Sequence, residues 1–335
     1  MTIVARIEPS LGARVVARAP LLYIEGADAA YDRPAHVRAG SALAHLGGRA
    51  FAVVQDDASF VAIVDVATRR ATSIAFPADP AAGGARQFDD ARGNKKQKLD
   101  LEASIVTNDG DLLVAFGSGS SPLRERIVLV EGAATDAPRV TIAPAHSLYA
   151  SIRANVAFSG AELNIEGAAV DGDDVLFFQR GNGAPTSSLL AVDATARVDL
   201  AALLAYLHDT SRPPPPLREV ATYDLGKAAG TRLTFTDGVG LRGRASAFLA
   251  CAEDCPDATR DGPVTGVAVG RLDDRAGTCA LAMILDERGD SLLDKAEGLA
   301  FDSDDPTRAF VVVDKDDARI PSELLELRLD EGWRA

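Results

Sequence analysis

A short acidic motif recurs along this chain at nearly constant spacing. It occurs at Leu99–Ser104, Asn164–Ala169 and Lys295–Ala300, and each copy contains one glutamate: Glu102, Glu166 and Glu297. Glu102 and Glu166 are 64 residues apart, and 131 residues, about two further steps, separate Glu166 from Glu297. Self-similarity at a fixed period is the signature of folds assembled from repeated units. The chain is therefore expected to build its fold from several similar pieces.

Each copy continues in the same way, with an apolar run, a turn rich in Asp and Gly, and a second apolar run. Asn108–Asp111 precedes Leu112–Phe116, and Asp171–Asp174 precedes Val175–Phe178. Short apolar runs joined by such turns predict antiparallel strands in hairpins. Further strands are predicted at Val61–Val64, Ile127–Val130, Leu189–Val192 and Leu324–Leu329. Each unit then has three or four strands, which is the blade of a β-propeller.

We therefore predict an all-β fold, a single β-propeller over residues 1–335. Five units are counted from Arg38, Glu102, Glu166, Asp237 and Glu297, and six blades are the alternative if the N-terminal strands and insertions form another. The last unit ends after three strands, so an N-terminal strand is expected to complete it and close the ring. Closure removes exposed sheet edges. A surface insertion is expected at about 194–216, with a helix within Val198–His208 that ends before four prolines.

Composition excludes several classes of partner. The net charge of −14 disfavours nucleic acid and anionic membranes, since both require positive charge. No apolar run reaches the length of a membrane span, and the first residues lack the pattern of a signal peptide. The expectation is a cytoplasmic protein that binds a small anionic molecule or another protein.

The repeated glutamates predict where a site would lie. The innermost strand of each blade lines the central channel, so Glu102, Glu166 and Glu297 are expected around one mouth, with Arg38 and Asp237 in the remaining sectors. The segments that leave the second strands should converge there too. Ligand-binding residues are expected among Arg38, Gln55, Asp56, Ser118, Ser120, Arg180, Asn182, Glu253 and Lys315.

These motifs resemble a known family. Glu297–Ala300, with its relatives Glu102–Ser104 and Glu166–Ala168, is similar to the bacterial esterase-like phytase propellers and to a neighbouring group of uncharacterised propellers. Gly117–Ser120, followed by Arg124 and Arg126, resembles the uncharacterised group. The resemblance implies a propeller with a polar channel mouth, calcium, and ester or phosphoester chemistry.

Two functions stay open at this point. The first is a metal-assisted hydrolase of a small anionic ester, lactone or phosphoester. Ca²⁺ takes several oxygen ligands, and they are expected from Glu102, Glu166, Glu297 and Asp314. The second is a non-catalytic propeller that binds a small ligand or a protein. The repeated glutamate also has a structural alternative, in which it accepts backbone N–H groups from the neighbouring blade.

Overall fold

Strands dominate the computed structural model, which describes residues 2–48, 50–107, 110–241, 245–254, 262–273 and 276–334. The predicted turn residues Asn108 and Asp109 lie outside these ranges. The α-helices of the described chain are short: α1 (His146–Ala154), α2 (Val156–Ser159) and α3 (Leu200–His208). No helix within the described ranges is long and apolar enough to cross a membrane.

The strands in chain order are β1 (Thr2–Val4), β2 (Arg6–Ile7), β3 (Ala13–Pro20), β4 (Leu22–Tyr23), β5 (Gly40–His45), β6 (Ala50–Gln55), β7 (Phe60–Asp65), β8 (Arg70–Ala75), β9 (Leu101–Val106), β10 (Leu112–Gly117), β11 (Arg126–Glu131), β12 (Arg139–Pro144), β13 (Ile165–Asp171), β14 (Asp174–Gln179), β15 (Asp193–Asp199), β16 (Arg218–Asp224), β17 (Lys227–Ala228), β18 (Thr231–Arg232), β19 (Thr234–Gly240), β20 (Ala245–Glu253), β21 (Val264–Asp273), β22 (Thr278–Leu285), β23 (Lys295–Phe301), β24 (Arg308–Asp314) and β25 (Glu323–Leu329).

Most of these strands form four-stranded antiparallel meanders, which we call blades. Blades 1 to 4 are β5–β8, β9–β12, β13–β16 and β19–β22. Blade 5 consists of β23, β24, β25 and the N-terminal strand β3. The innermost strands contact one another in the order β5, β9, β13, β19, β23 and back to β5. The prediction of an all-β propeller is confirmed, and the described strands group into five such blades.

The N-terminal segment closes the ring. β3 pairs antiparallel with β25 as the outermost strand of blade 5. The short strands on either side of it add parallel edges to other blades: β1 to β16 in blade 3, β2 to β22 in blade 4, and β4 to β8 in blade 1. The predicted closure by an N-terminal strand is therefore seen, and the same segment also covers the outer edges of three more blades.

The hydrophobic core is divided among the joints between blades. One cluster packs Ala42 and Val54 of blade 1 against Leu113 and Val128 of blade 2. Another packs Leu43 of blade 1 against blade 5. Successive residues of a strand point to opposite faces, and here both faces are covered by a neighbouring blade. This explains why the strands contain unbroken apolar runs rather than a strict alternation.

One predicted strand was wrong. Residues 189–192 are not a strand, and the third strand of blade 3 is β15, which follows directly. Its sequence is polar, but Arg197 within it is buried and paired with Asp171 at 2.6 Å. Ion pairing permits a charged side chain in a buried strand. Residues 193–199 therefore belong to the blade, and the helical insertion begins with α3 at Leu200 instead of near residue 194.

Candidate functional site

Every innermost strand has a β-bulge at the same place. The pairing of β5, β9, β13, β19 and β23 with their neighbouring strands skips one residue near the strand start. A bulge leaves the extra residue outside the ladder and redirects its side chain. The skipped residues are Ser41, Glu102, Glu166, Thr236 and Glu297.

The bulges correct the sequence alignment of the units. Glu102, Glu166 and Glu297 are structurally equivalent, as the repeat suggested, but their counterparts in blades 1 and 4 are Ser41 and Thr236. Arg38 lies three residues before its bulge, and Asp237 lies one residue after its own. The sequence steps of 64 residues missed these positions because the units differ in loop length.

Asp237 has the structural role that was considered for the glutamates. Its side chain accepts hydrogen bonds from the backbone N–H groups of Gly238 and Leu299, each at 2.7 Å. Leu299 belongs to β23, so this carboxylate joins blade 4 to blade 5. Among the described residues, none of the three bulge glutamates accepts such a bond.

Small residues follow four of the five bulges (Ala42, Ala103, Gly167 and Gly298), and neighbouring strands approach closely at the two glycines. A Cβ on Gly298 would lie 2.6 Å from the backbone nitrogen of Leu43, and one on Gly167 would lie 2.7 Å from that of Gly238. Contacts this short are not tolerated, since backbone cannot move aside as a side chain can. In the Glu-Gly pattern, the glutamate side chain lines the channel, and the glycine allows the neighbouring blade to approach closely.

The bulge glutamates line a cavity of about 1640 Å³ at the channel mouth. Acidic side chains outnumber basic ones on its walls, and Phe88 is its one aromatic wall residue within the described ranges. The cavity brings together ten of the thirteen residues predicted for the site: Arg38, Asp56, Glu102, Ser120, Glu166, Arg180, Asn182, Glu253, Glu297 and Asp314.

Gln55, Ser118 and Lys315 lie outside the cavity wall. Gln55 is buried, and its side chain bonds the backbone of Arg38 and the hydroxyl of Tyr23, each at 3.2 Å. Ser118 is also buried and donates to Asp100. Lys315 pairs with Asp294 and Glu323 at 2.7 and 2.8 Å. These three side chains therefore contact other residues of the fold and do not line the cavity.

The first cluster on the cavity floor consists of Asp56, Lys98, Asp100 and Glu102. Lys98 Nζ is 2.5 Å from Asp56 and 2.7 Å from Asp100. The carboxylates of Asp56, Asp100 and Glu102 each offer an oxygen within 4.8 Å of the others, and no other group of three metal-ligating side chains in the described chain does so. No hydrogen bond or ion pair joins the Glu102 carboxylate to any described residue.

Charge and burial act differently on these carboxylates. Burial raises the pKa of Glu102 well above its usual range, and the nearby Asp56 and Asp100 raise it further. Burial also acts to raise the pKa of Asp100, but Lys98 and Arg124 outweigh it and the pKa is lowered. Lys98 also acts to lower the pKa of Glu102, but burial and the two aspartates outweigh it.

The second cluster consists of Glu166, Arg180, Glu253, Lys295 and Glu297. Arg180 is buried and contacts Glu253 at 2.6 Å and Glu166 at 3.5 Å. It also donates to Thr234 of blade 4 at 3.2 Å. Its guanidinium therefore reaches from blade 3 to blade 4, the blade whose bulge residue is Thr236 instead of Glu.

The pKa values of the second cluster are also raised. Burial raises the pKa of Glu166 and, more strongly, that of Glu297, although Arg180 and Lys295 act against it. Burial raises the pKa of the neighbouring Asp314 to about 7, again against Lys295. The floor of the cavity therefore holds several carboxyl groups that take up protons more readily than usual.

Sequence reasoning missed three residues of the site: Lys98, Asp100 and Lys295. Lys98, Asp100 and Glu102 alternate in sequence, and such alternation places side chains on one face of an extended strand. That signal was present. Asp100 also has φ of 55°, a left-handed conformation that Asp tolerates better than most residues.

Comparison with known proteins supplies a family but no activity. A family described as "Family of unknown function (DUF6929)" matches residues 36–329. No curated protein matches the sequence. The chain is similar in structure to the glutaminyl cyclase of Myxococcus xanthus, with 12% identity, 98% of this chain and 99% of that one covered, and a TM-score of 0.49.

A second similar structure is the PQQ-bound aldose sugar dehydrogenase of Streptomyces coelicolor. It has 12% identity, covers 94% of this chain and 98% of its own, and has a TM-score of 0.45. Likenesses at this level carry no argument about chemistry. The family match supports a family of unknown function, whereas the resemblance to esterase-like phytases finds no support in these comparisons.

Proposed function

The chain belongs to the DUF6929 family of unknown function, and we propose that its cavity uses Ca²⁺ to hydrolyse a small anionic ester, lactone or phosphoester. One observation carries the proposal: Asp56, Asp100 and Glu102 converge with carboxylate oxygens within 4.8 Å of one another.

The donor set fits a hard cation. Ca²⁺ binds oxygen ligands at about 2.3–2.6 Å, so two oxygens on opposite sides of one ion are about 4.8 Å apart. The Glu102 carboxylate has no hydrogen bond or ion pair with another described residue, and burial together with the nearby Asp56 and Asp100 raises its pKa. Bound there, the ion would polarise the substrate and lower the pKa of a water molecule.

Lys98 occupies part of this cluster, and its movement would serve the reaction. Its ammonium group now lies between Asp56 and Asp100. If these carboxylates turn to a cation, Lys98 and the Asp100-paired Arg124 are released toward the cavity. Both could then hold the negative charge of the substrate.

Asp314 is the residue that we assign to proton transfer. It lines the same cavity, and its pKa of about 7 suits a group that accepts and returns a proton near neutral pH. In hydrolysis, water attacks the acyl or phosphoryl centre and gives one proton to Asp314. The bond to the leaving oxygen breaks, and that oxygen takes up the proton.

A second candidate is favoured by the same lysine. Because Lys98 pairs with Asp56 and Asp100, and Arg124 also pairs with Asp100, the charges of these two aspartates can be balanced without a metal. The cavity would then bind a small ligand or a protein segment and perform no chemistry.

Calcium titration separates the two candidates. Calorimetry on EDTA-treated protein is expected to show one Ca²⁺ per chain, and Glu102→Gln should weaken binding about tenfold or more because an ionised ligand is lost. Glu162→Gln, on the cavity wall outside the cluster, is the matched control and should bind normally.

Activity is then measured with p-nitrophenyl acetate and p-nitrophenyl phosphate. Asp314→Asn should bind Ca²⁺ but lose turnover. If the wild-type protein binds no Ca²⁺, the hydrolase proposal is wrong and the binding propeller replaces it.

A further inference from the structure

One carboxylate oxygen of the second cluster has no hydrogen-bond partner among the described residues. Glu297 lines the cavity and is only 4% exposed. Its Oε1 lies 3.7 Å from Lys295 Nζ, whereas its Oε2 is buried without a hydrogen bond to any described residue. A buried acceptor without a donor costs free energy comparable to a lost hydrogen bond. The position is therefore suited to an external donor.

Carboxylates outnumber cations among the described residues around Glu297. The carboxylates near Glu297 are those of Glu166, Glu253 and Asp316. The cations that pair with this group of four carboxylates are Arg180 and Lys295. Arg180 is held by Glu253 and Glu166, and Lys295 also contacts Asp316 at 2.9 Å. The carboxylates outnumber the cations after this pairing, so the missing donor is expected to be positively charged.

Neutral groups beside the cluster add hydrogen-bonding capacity. Asn164 donates to Glu166 at 2.7 Å and to Asn182 at 3.1 Å. Thr236, on the neighbouring bulge, has a buried hydroxyl without a hydrogen bond in the described chain. A primary ammonium group has three donors and no acceptor, so it could donate to carboxylate, amide or hydroxyl oxygens of this kind.

We propose that Glu297 and Glu166 recognise an organic ammonium group, and that the ligand of this cavity is a small amino compound. Combined with the proposed hydrolysis, on which this part rests, the substrate class is an ester, lactone or phosphoester that carries an amino group. The first cluster would then act on the reacting bond, and the second would hold the ammonium group.

The raised pKa of Glu297 agrees with this role. Burial is its main cause, and Glu166 and Glu253 contribute to it. A bound cation would offset the same negative charges, so ligand binding should favour the ionised form of Glu297. If Glu297 served only to pair with Lys295, no further positive charge would be needed to offset these negative charges.

The test uses two stable probes that differ only in the ammonium group, alaninamide and N-acetylalaninamide. Calorimetry is performed in EDTA, without Ca²⁺. The wild-type protein should bind alaninamide about tenfold or more tightly than the acetylated probe, since a charge-assisted hydrogen bond to a buried carboxylate is lost on acetylation. Glu297→Gln should abolish this preference, and Glu162→Gln should retain it.

Several outcomes would overturn the proposal. These are equal binding of the two probes by the wild-type protein, an unchanged preference in Glu297→Gln, or complete competition by equimolar NaCl or KCl, which would indicate a simple alkali-ion site. If Glu297→Gln does not fold, the same pair of probes is measured with Glu166→Gln, which should also lose the preference for alaninamide.

The ammonium site and the hydrolase can fail separately. Selective alaninamide binding in EDTA, by a protein that binds no Ca²⁺, retains the ammonium site and rejects metal-assisted hydrolysis. Calcium binding without any preference for the ammonium probe gives the reverse result.

Discussion

The two clusters on the cavity floor place equivalent glutamates on equivalent bulges but neutralise them differently. In the first cluster the cation is Lys98, from the segment just before the innermost strand, and it contacts two carboxylates. In the second it is Arg180, which bridges two blades through Glu166, Glu253 and Thr234. An ammonium on a flexible stem exchanges partners more easily than a guanidinium held as a planar fork. The first cluster is thus suited to cation exchange, and the second to a fixed charge pattern.

Removal of Arg180 tests the fixed side and should have the largest effect. Arg180→Met leaves Glu166 and Glu253 buried without their counter-charge, which typically costs about 3–5 kcal/mol. Urea unfolding at pH 7 measures this loss. Arg319→Met is the matched control, because Arg319 also lines the cavity but its side chain, paired with Asp317, is 88% exposed. Its effect should stay under about 1 kcal/mol, and equal losses in the two variants would contradict the comparison.

The raised pKa values of the cavity carboxyl groups predict that the free energy of unfolding depends on pH. Burial raises the pKa of Asp314 to about 7 and that of Asp57 to about 6, and the bulge glutamates shift in the same direction. A pKa that is higher in the folded state stabilises the fold below the unfolded-state pKa, and this stabilisation is lost as pH rises through the folded-state value. The free energy of unfolding should therefore fall by about 2–4 kcal/mol between pH 5 and pH 8.

Urea titrations at pH 5, 6, 7 and 8 measure this slope. Asp314→Asn should flatten it between pH 6 and pH 8, because the group that titrates there has been removed. A stability that rises over the same interval would show that the carboxyl groups of the cavity floor are fully compensated by their cations.

Removal of Lys98 tests whether the first cluster can exchange its lysine for a metal ion. The expected change, in the free energy of Ca²⁺ binding, is the smallest of the three. Lys98→Met frees Asp56 and Asp100 from their internal cation, so Ca²⁺ affinity should rise about tenfold, or about 1.4 kcal/mol. Lys95→Met is the control, because Lys95 lies on the cavity wall but its nearest acidic partner, Asp90, is 3.7 Å away. Weaker calcium binding in Lys98→Met would mean that the lysine organises the cluster and does not compete for it.

Much of the cavity wall could be predicted because the repeat is a local pattern. Glu102, Glu166 and Glu297 were found from spacing alone, and Asp56 and Arg180 from the polar segments that leave the second strands. The same reasoning misplaced Gln55, Ser118 and Lys315. These lie in the same segments, but their side chains turn away to partners that no local pattern specifies.

The sequence by itself determined the all-β fold, the repeated units, the hairpin strands and the closing N-terminal strand, because these depend on apolar runs and turn residues within a few positions of one another. Only the tertiary structure decided which residues occupy equivalent bulges, so that Ser41 and Thr236 replace Arg38 and Asp237. It also decided which cation neutralises each glutamate. Arg180 contacts Glu253 across 73 positions of sequence, and such a pair exists only once the ring has closed and burial has made the pairing of charges necessary.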